Sequence, residues 1–169
     1  MYQTKDSVFV IGIGNEYRSD DAAGLIAAVR IRNSGFPGVK VVESDGDGMG
    51  LMDLWFKRKN VIIIDAVSSG SAAGTIHILS AGKNIDPPGN FTFSTHSFGV
   101  LQALKLSANL SILPENIVII GIEGENFAYG NGLSPNVEDA LNRIESLVLK
   151  EVLKLQSNIK EKSINGSYY

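Results

Sequence analysis

Short runs of apolar residues, separated by stretches with helical spacing, dominate the hydrophobic pattern along the chain. The runs at residues 8–13, 61–64 and 117–122 do not alternate with polar residues, which is typical of strands buried on both faces. A shorter strand is predicted at 39–43, and the alternating segment 75–79 is expected to be an added strand. The pattern therefore predicts a sheet whose central strands are covered on both sides.

Helices are predicted at about 21–33, 50–56 and 98–109, and from residue 135 onwards. Ser19 or Asp20 is the expected N-cap of the first helix, and Ser134 with Pro135 is typical of the start of the last one. The last helix carries apolar residues at helical spacing, namely Val137, Ala140, Leu141, Ile144, Leu147, Val148 and Val152.

The alternation of strands and helices predicts a single α/β domain over residues 1–156, followed by a polar tail at 157–169 that we expect to fray. An open, mostly parallel sheet with helices on both faces is the expected architecture. In such sheets, a functional site lies beyond the carboxyl ends of the strands, near a switch in strand order.

Composition narrows the possible functions. The net charge of −3 argues against a general nucleic-acid or membrane-surface partner. The absence of cysteine excludes disulfides, thiolate metal sites and cysteine nucleophiles. The apolar run at the N-terminus is too short to cross a membrane and lacks the basic flank of a signal peptide, so we expect a cytoplasmic protein.

Three polar residues occupy positions where such a site is expected. Asp21 follows the first strand, Asp65 ends the third, and His96 precedes a helix. If the first and third strands are neighbours, Asp21 and Asp65 face one crevice. Asp21 alone is also a common helix-start residue and His96 a possible loop histidine, whereas Asp65, directly after a Val-Ile-Ile-Ile run, has little structural reason to be there.

Two carboxylates and one imidazole form a mixed oxygen and nitrogen donor set. Such a set suits nickel or zinc and disfavours copper(I), and three protein ligands leave positions open for substrate or water. Of the remaining candidates, His77 lies in an alternating apolar segment and is interpreted as structural. Asp45 and Asp47 are compatible with a turn, and this structural interpretation is favoured for Asp47.

The Gly12-X-Gly14 turn raises a second possibility, a dinucleotide site. Its third glycine is replaced by Tyr17, and Glu16 would place negative charge near a pyrophosphate, so this signal is weak. The sequence contains neither a G-x-S-x-G elbow nor a P-loop that would favour other hydrolase or nucleotidase chemistry.

Several short motifs occur together in a fixed order. They are a G-x-G-N-x-x-x-x-D-[DE]-x-x-G pattern at 12–24, Asp45-Gly46, a strand ending in Ile64-Asp65-Ala66, His96 shortly before Gly99, and a G-L-[ST]-P-x-V pattern at 132–137. In this order and spacing they resemble the hydrogenase maturation proteases, the endopeptidases that process the large subunit of nickel-iron hydrogenases. The resemblance covers about residues 8–150.

The resemblance implies a three-layer, open and mostly parallel twisted sheet of the phosphorylase/hydrolase-like type. It implies that Asp21, Asp65 and His96 form a nickel-recognising triad and act with Asp45 in a peptidase of the aspartic type by family classification. The implied partner is a nickel-iron hydrogenase large-subunit precursor, which brings the nickel and loses a C-terminal extension. No nucleic acid or membrane is implied.

Some positions differ from the family pattern. Ala22 and Gly124 stand where a glycine and a proline are common, and the loop at 45–48 lacks a frequent threonine. We expect these differences to affect target choice more than the reaction. Two alternatives remain at this stage: a nickel-sensing or nickel-delivery protein without cleavage, and a nucleotide-binding α/β protein.

Overall fold

The computed structural model describes residues 7–81, 89, 92–93 and 99–165, and for residues 81 and 158–165 it describes the backbone alone. In chain order, the described elements are β1 (Val8–Ile13), a 3-10 helix (Ser19–Ala22), α1 (Ala23–Ser34), β2 (Val39–Ser44), α2 (Gly48–Trp55), β3 (Asn60–Ser68), β4 (Ile76–Ala81), β5 (Thr92–Phe93), α3 (Val100–Asn109), β6 (Asn116–Glu123) and α4 (Pro135–Asn165).

The strands of the described part of the chain form one mixed sheet in the order β2-β1-β3-β6-β4, and β5 pairs with the end of β3. The strands β2, β1, β3 and β6 run parallel, whereas β4 and β5 are antiparallel to their partners. Because β1 lies between β2 and β3, the strand order changes direction there. The first and third strands are neighbours, as the predicted crevice requires.

Alternate residues of the buried strands enter two separate cores. One core lies between the sheet and helices α1 and α4, and includes Val10, Ile62 and Ile120 from the strands. The other lies under α2 and α3, and includes Ile11, Ile63 and Ile119. Apolar side chains on both strand faces explain the lack of alternation in the sequence. The expected three-layer α/β fold is confirmed.

The first helix differs from its prediction. Residues 19–22 form a separate 3-10 turn without a side-chain cap, and the α-helix begins only at Ala23. The side chain of Asp20, an expected N-cap, instead binds the amides of a distant loop. Local capping preference was therefore overridden by a tertiary contact.

At the other end of the chain, Pro135 begins the last helix as expected. Helix α4 continues to Asn165, so residues 157–165 of the segment set apart as a tail are helical in their backbone. The division into a domain at 1–156 and a tail stays a prediction. None of the helices in the described residues has the length and apolar character needed to cross a membrane.

Candidate functional site

Asp65 lies near the carboxyl end of β3, in the centre of the sheet, and is fully buried. It alternates with Ile64 and Ala66, which enter the core under α1 and α4, so its side chain faces the α2 and α3 side. Its cross-strand partner on β6 is Gly121. Burying a carboxylate costs free energy that packing among apolar strands does not offset, so packing alone does not explain why this position is an aspartate.

Asp21 reaches the same edge of the sheet from the 3-10 helix, where it is 2% exposed. This helix contacts β3, and α1, which follows it, has a glycine, Gly24, where its backbone comes closest to the strands. A Cβ atom at Gly24 would lie 2.2 Å from the carbonyl oxygen of Ile13 and 2.4 Å from that of Ile64. The close approach places the start of α1 over the end of β1 and over Ile64 of β3, the residue that precedes Asp65.

His96, the third member of the predicted triad, lies outside the described residues. Phe93, the last described residue before it, pairs with Val67, two residues beyond Asp65. Among the described residues, no three His, Cys, Asp or Glu side chains come close enough together to hold a metal ion. The described part of the predicted triad is therefore the pair Asp21 and Asp65.

Asp45 lies at the same edge of the sheet, directly after β2, but it is exposed. Its Oδ1 accepts the N–H of Asp47 at 3.1 Å, which is an Asx turn. Asp47 in turn accepts the N–H of Gly50 at 2.8 Å and caps α2. The structural interpretation of Asp47 is confirmed, and a catalytic role for Asp45 stays a prediction.

Asp20 has a role that the sequence did not reveal. Its buried carboxylate accepts the N–H groups of Glu125 and Asn126, both at 2.8 Å, and both the N–H and the hydroxyl of Ser134, at 2.7 and 2.8 Å. Burial raises the pKa of Asp20, but these hydrogen bonds outweigh it and hold that pKa below its ordinary value. Asp20 thus fastens the 3-10 helix to the loop before α4.

Glu123, the last residue of β6, is a further buried carboxylate. It accepts the N–H of Ser69 at 2.7 Å, the N–H of Gly70 at 3.0 Å and the Ser69 hydroxyl at 2.8 Å, and it pairs with His77 Nε2 at 3.1 Å. Burial raises the pKa of Glu123, but these hydrogen bonds outweigh it and lower that pKa overall. A carboxylate directly after the apolar run 117–122 is the signal that also identified Asp65.

The Gly12-X-Gly14 turn is closed by the chain itself. A Cβ at Gly14 would lie 1.9 Å from the carbonyl oxygen of Asp21, which accepts the N–H of Asn15. The N–H groups of Gly14, Tyr17, Arg18, Ser19, Asp20 and Asp21 also donate to internal acceptors. A phosphate site needs such groups free, so this geometry argues against a dinucleotide here.

Comparison with known proteins agrees with the resemblance seen in the motifs. The sequence model of the hydrogenase maturation proteases matches residues 26–151, well over half of the chain. The chain belongs to the hydrogenase maturation protease family. Members of this family are peptidases, so Asp21 and Asp65, at the carboxyl edge of the sheet, are candidate active-site residues of a peptidase.

Curated relatives include hydrogenase expression/formation proteins. The chain is 28% identical to HoxM of Azotobacter vinelandii over 142 residues, which is 82% of this chain and 68% of that protein. It is 25% identical to HupD of Thiocapsa roseopersicina over 146 residues, which is 85% of this chain and 66% of that protein. The matched region thus spans about two thirds of the length of these relatives.

Solved structures show the same fold. The hydrogenase maturating endopeptidase HybD from Escherichia coli superposes with a TM-score of 0.72 at 22% identity, covering 88% of this chain and 93% of that one. The [NiFe] hydrogenase maturation protease HybD from Thermococcus kodakarensis gives a TM-score of 0.68 at 24% identity, covering 86% and 99%. At these identities, the likeness shows the fold alone.

Proposed function

We propose that this chain is an endopeptidase that removes the C-terminal extension of a nickel-iron hydrogenase large-subunit precursor after recognising the nickel bound there. The observation that carries the proposal is the placement of two buried carboxylates, Asp21 and Asp65, on contacting elements at the switch in strand order. Membership of the hydrogenase maturation protease family supports the reaction class.

In this proposal, nickel arrives as part of the substrate, and Asp21, Asp65 and His96 contact it at the carboxyl edge of the sheet. Carboxylate and imidazole donors suit a borderline divalent ion. Contact with the ion would hold the adjoining peptide in a fixed orientation, which can supply a large part of the rate enhancement. Asp45, exposed at the same edge, is proposed to contribute to the reaction.

The aspartic-type classification and the cytoplasmic location belong to the proposal as well.

Gly124 also bears on target choice, because the ring of Phe127 lies against it: a Cβ there would come within 2.4 Å of the ring. The proline common in the family would meet that ring. We propose that this loop differs in shape from the loop of relatives with proline and contributes to precursor selection.

The proposal is tested by incubating the protein with nickel-loaded and nickel-free precursor and measuring the precursor mass. We expect shortening of the loaded form alone. The Asp65→Asn variant is expected to slow shortening by roughly a hundredfold or more, because a neutral amide is a poor replacement for a carboxylate in contact with a cation. Asp53→Asn, which changes an exposed aspartate on α2, is the matched control and should cleave at the wild-type rate.

Two results would contradict the proposal. If the nickel-loaded precursor binds but keeps its full mass, a nickel-sensing or delivery role without cleavage is favoured. If Asp65→Asn cleaves as fast as Asp53→Asn, the carboxylate of Asp65 is not part of the reaction, and the assigned site is wrong.

A further inference from the structure

We infer that the loop between β6 and α4, residues 124–134, is a strut that sets the spacing of Asp21 and Asp65. Asp20 and Glu123 are the positioning residues at its two ends, meaning the two points at which the loop is attached to the rest of the site. The inference rests on the proposed function, because it concerns the site proposed above. The loop joins two segments that are far apart in sequence, and at each end a buried carboxylate makes the connection.

At one end, the strut is fixed to the 3-10 helix that carries Asp21. The Asp20 carboxylate accepts the backbone N–H groups of Glu125 and Asn126, near the start of the loop, and that of Ser134, its last residue. The backbone adds a second connection, because the N–H of Asp20 donates to the carbonyl of Asn126 at 3.0 Å.

Further contacts hold the loop beside the segment that precedes the 3-10 helix. The N–H of Ser19 donates to Gly130 O, and the N–H of Gly130 donates to Tyr17 O, both at 3.0 Å. Ser19 itself adopts a left-handed φ of 47°, a conformation that is strained in a non-glycine residue and persists where its surroundings enforce it. The loop therefore determines the backbone immediately before Asp21.

At the other end, Glu123 fixes the chain that leaves β3 after Asp65. Its carboxylate accepts hydrogen bonds from the Ser69 and Gly70 amides, and the N–H of Gly124 donates to Val67 O at 3.0 Å. His77 on β4 completes this end by pairing with the same carboxylate. Residues 67–70 are thus held from β6, directly beyond the strand segment that contains Asp65.

The consequence is a continuous hydrogen-bonded connection from the Asp21 segment through the loop to the Asp65 segment. Buried carboxylates that accept several hydrogen bonds are rigid anchors, because each lost bond leaves a desolvated group. A displacement of about 1 Å in a site that positions a substrate can cost roughly a hundredfold in rate. Breaking one end should therefore reduce turnover by displacing Asp21 or Asp65, which is the effect expected of a positioning residue.

The test uses Asp20→Asn and Glu123→Gln, each of which keeps side-chain size but replaces a hydrogen-bond acceptor by a donor. The matched control is Asn60→Ala, which removes a part-buried hydrogen bond from Asn116 at the opposite, amino end of the same strand β3. Amide hydrogen exchange by NMR is measured on the protein alone, and kcat and KM are measured with nickel-loaded precursor.

We expect Asp20→Asn to accelerate exchange at Ser69 and Gly70, and Glu123→Gln to accelerate it at residues 19–21, at the far end of the strut in each case. We expect kcat to fall by roughly tenfold to a hundredfold with KM changed much less. Asn60→Ala should leave both regions and kcat unchanged. Should Asp20→Asn or Glu123→Gln not fold, Ser134→Ala and Ser69→Ala replace them, since each removes only a hydroxyl donor from the same carboxylate.

Faster exchange confined to the substituted end, with kcat at the level of the control, would overturn the strut while leaving the proposed function standing. An equal loss of kcat in Asn60→Ala would also overturn it, because the effect would then follow general destabilisation. If the wild-type protein does not cleave, the proposed function fails, and the exchange pattern alone decides whether the two ends are coupled.

Discussion

The missing Cβ at Gly24 determines how closely the first helix approaches the sheet. The position lies against the carbonyl oxygens of both Ile13 and Ile64, and Gly12 across the interface is equally close to the backbone of Gly24. Only glycine allows this approach of backbone to backbone. At the scale of single residues, the site therefore depends as much on absent side chains as on Asp21 and Asp65.

Gly24→Ala is predicted to destabilise the protein by about 1–3 kcal/mol or more, because the added methyl group overlaps two backbone carbonyls that cannot rotate away. Gly50→Ala is the matched control, since its Cβ would have no neighbour closer than 3.4 Å and alanine is the better helix former. Urea unfolding of both variants measures the difference. Equal stabilities would show that α1 can shift away from the strands.

At the scale of elements, the start of α4 is tied to the 3-10 helix rather than capped by its own neighbours alone. Ser134 precedes the helix, and its hydroxyl donates to the Asp20 carboxylate at 2.8 Å. The motif at 132–137 thus marks a helix start and also a contact between distant segments. Asp20 and Ser134, 114 positions apart in the chain, thus hold each other's segments in place.

Ser134→Ala is predicted to lower the free energy of unfolding by about 1.5–3 kcal/mol, the range for a hydrogen bond to a charged group. Ser146→Ala, which removes a hydroxyl that bonds within α4 itself, should change it by less than about 0.5 kcal/mol. Chemical denaturation monitored by circular dichroism provides both values. A small effect at Ser134 would mean that its amide alone maintains the contact.

At the scale of the whole molecule, charge is concentrated at one edge of the sheet. The buried carboxylates Asp20, Asp21, Asp65 and Glu123 all lie at or beyond the carboxyl ends of the parallel strands. Folding must therefore bury four carboxyl groups in one region. Stability becomes coupled to pH wherever the folded protein changes the pKa of these groups.

The lowered pKa of Glu123 predicts acid sensitivity with a definite sign. The folded pKa lies below the reference value of 4.5, so the stabilising contribution is complete above that value and is lost as the pH falls through the folded pKa. Glu123→Gln should be less stable than the wild type at pH 7, and the difference should shrink below about pH 4.5.

Urea unfolding between pH 7 and pH 3 measures this difference. Because His77 faces the same carboxylate, the series is repeated in a His77→Gln background to separate the two groups. A difference between wild type and Glu123→Gln that stays constant over the whole range would contradict the prediction.

The hydrophobic pattern was sufficient to predict the fold, because a strand that is buried on both faces consists of consecutive apolar residues. The segments 8–13, 61–64 and 117–122 became β1, β3 and β6, and Asp65 was identified because a carboxylate interrupts such a segment. Glu123 carries the same signal, but by local rules a charged residue at the end of an apolar run also ends a strand, so the pattern does not distinguish the two. The backbone pairing of Glu123 with Val67 of β3 places it in β6.

The sequence by itself determined the α/β layers, the parallel central strands and the candidate pair Asp21 and Asp65, because hydrophobic periodicity and residue type are local properties. Only the tertiary structure decided what Asp20 and Glu123 do, because their partners lie 46 to 114 positions away along the chain. It also decided that the glycine turn is closed by the backbone of Asp21. Contacts between distant segments leave no periodic trace, so they follow from folding and not from pattern.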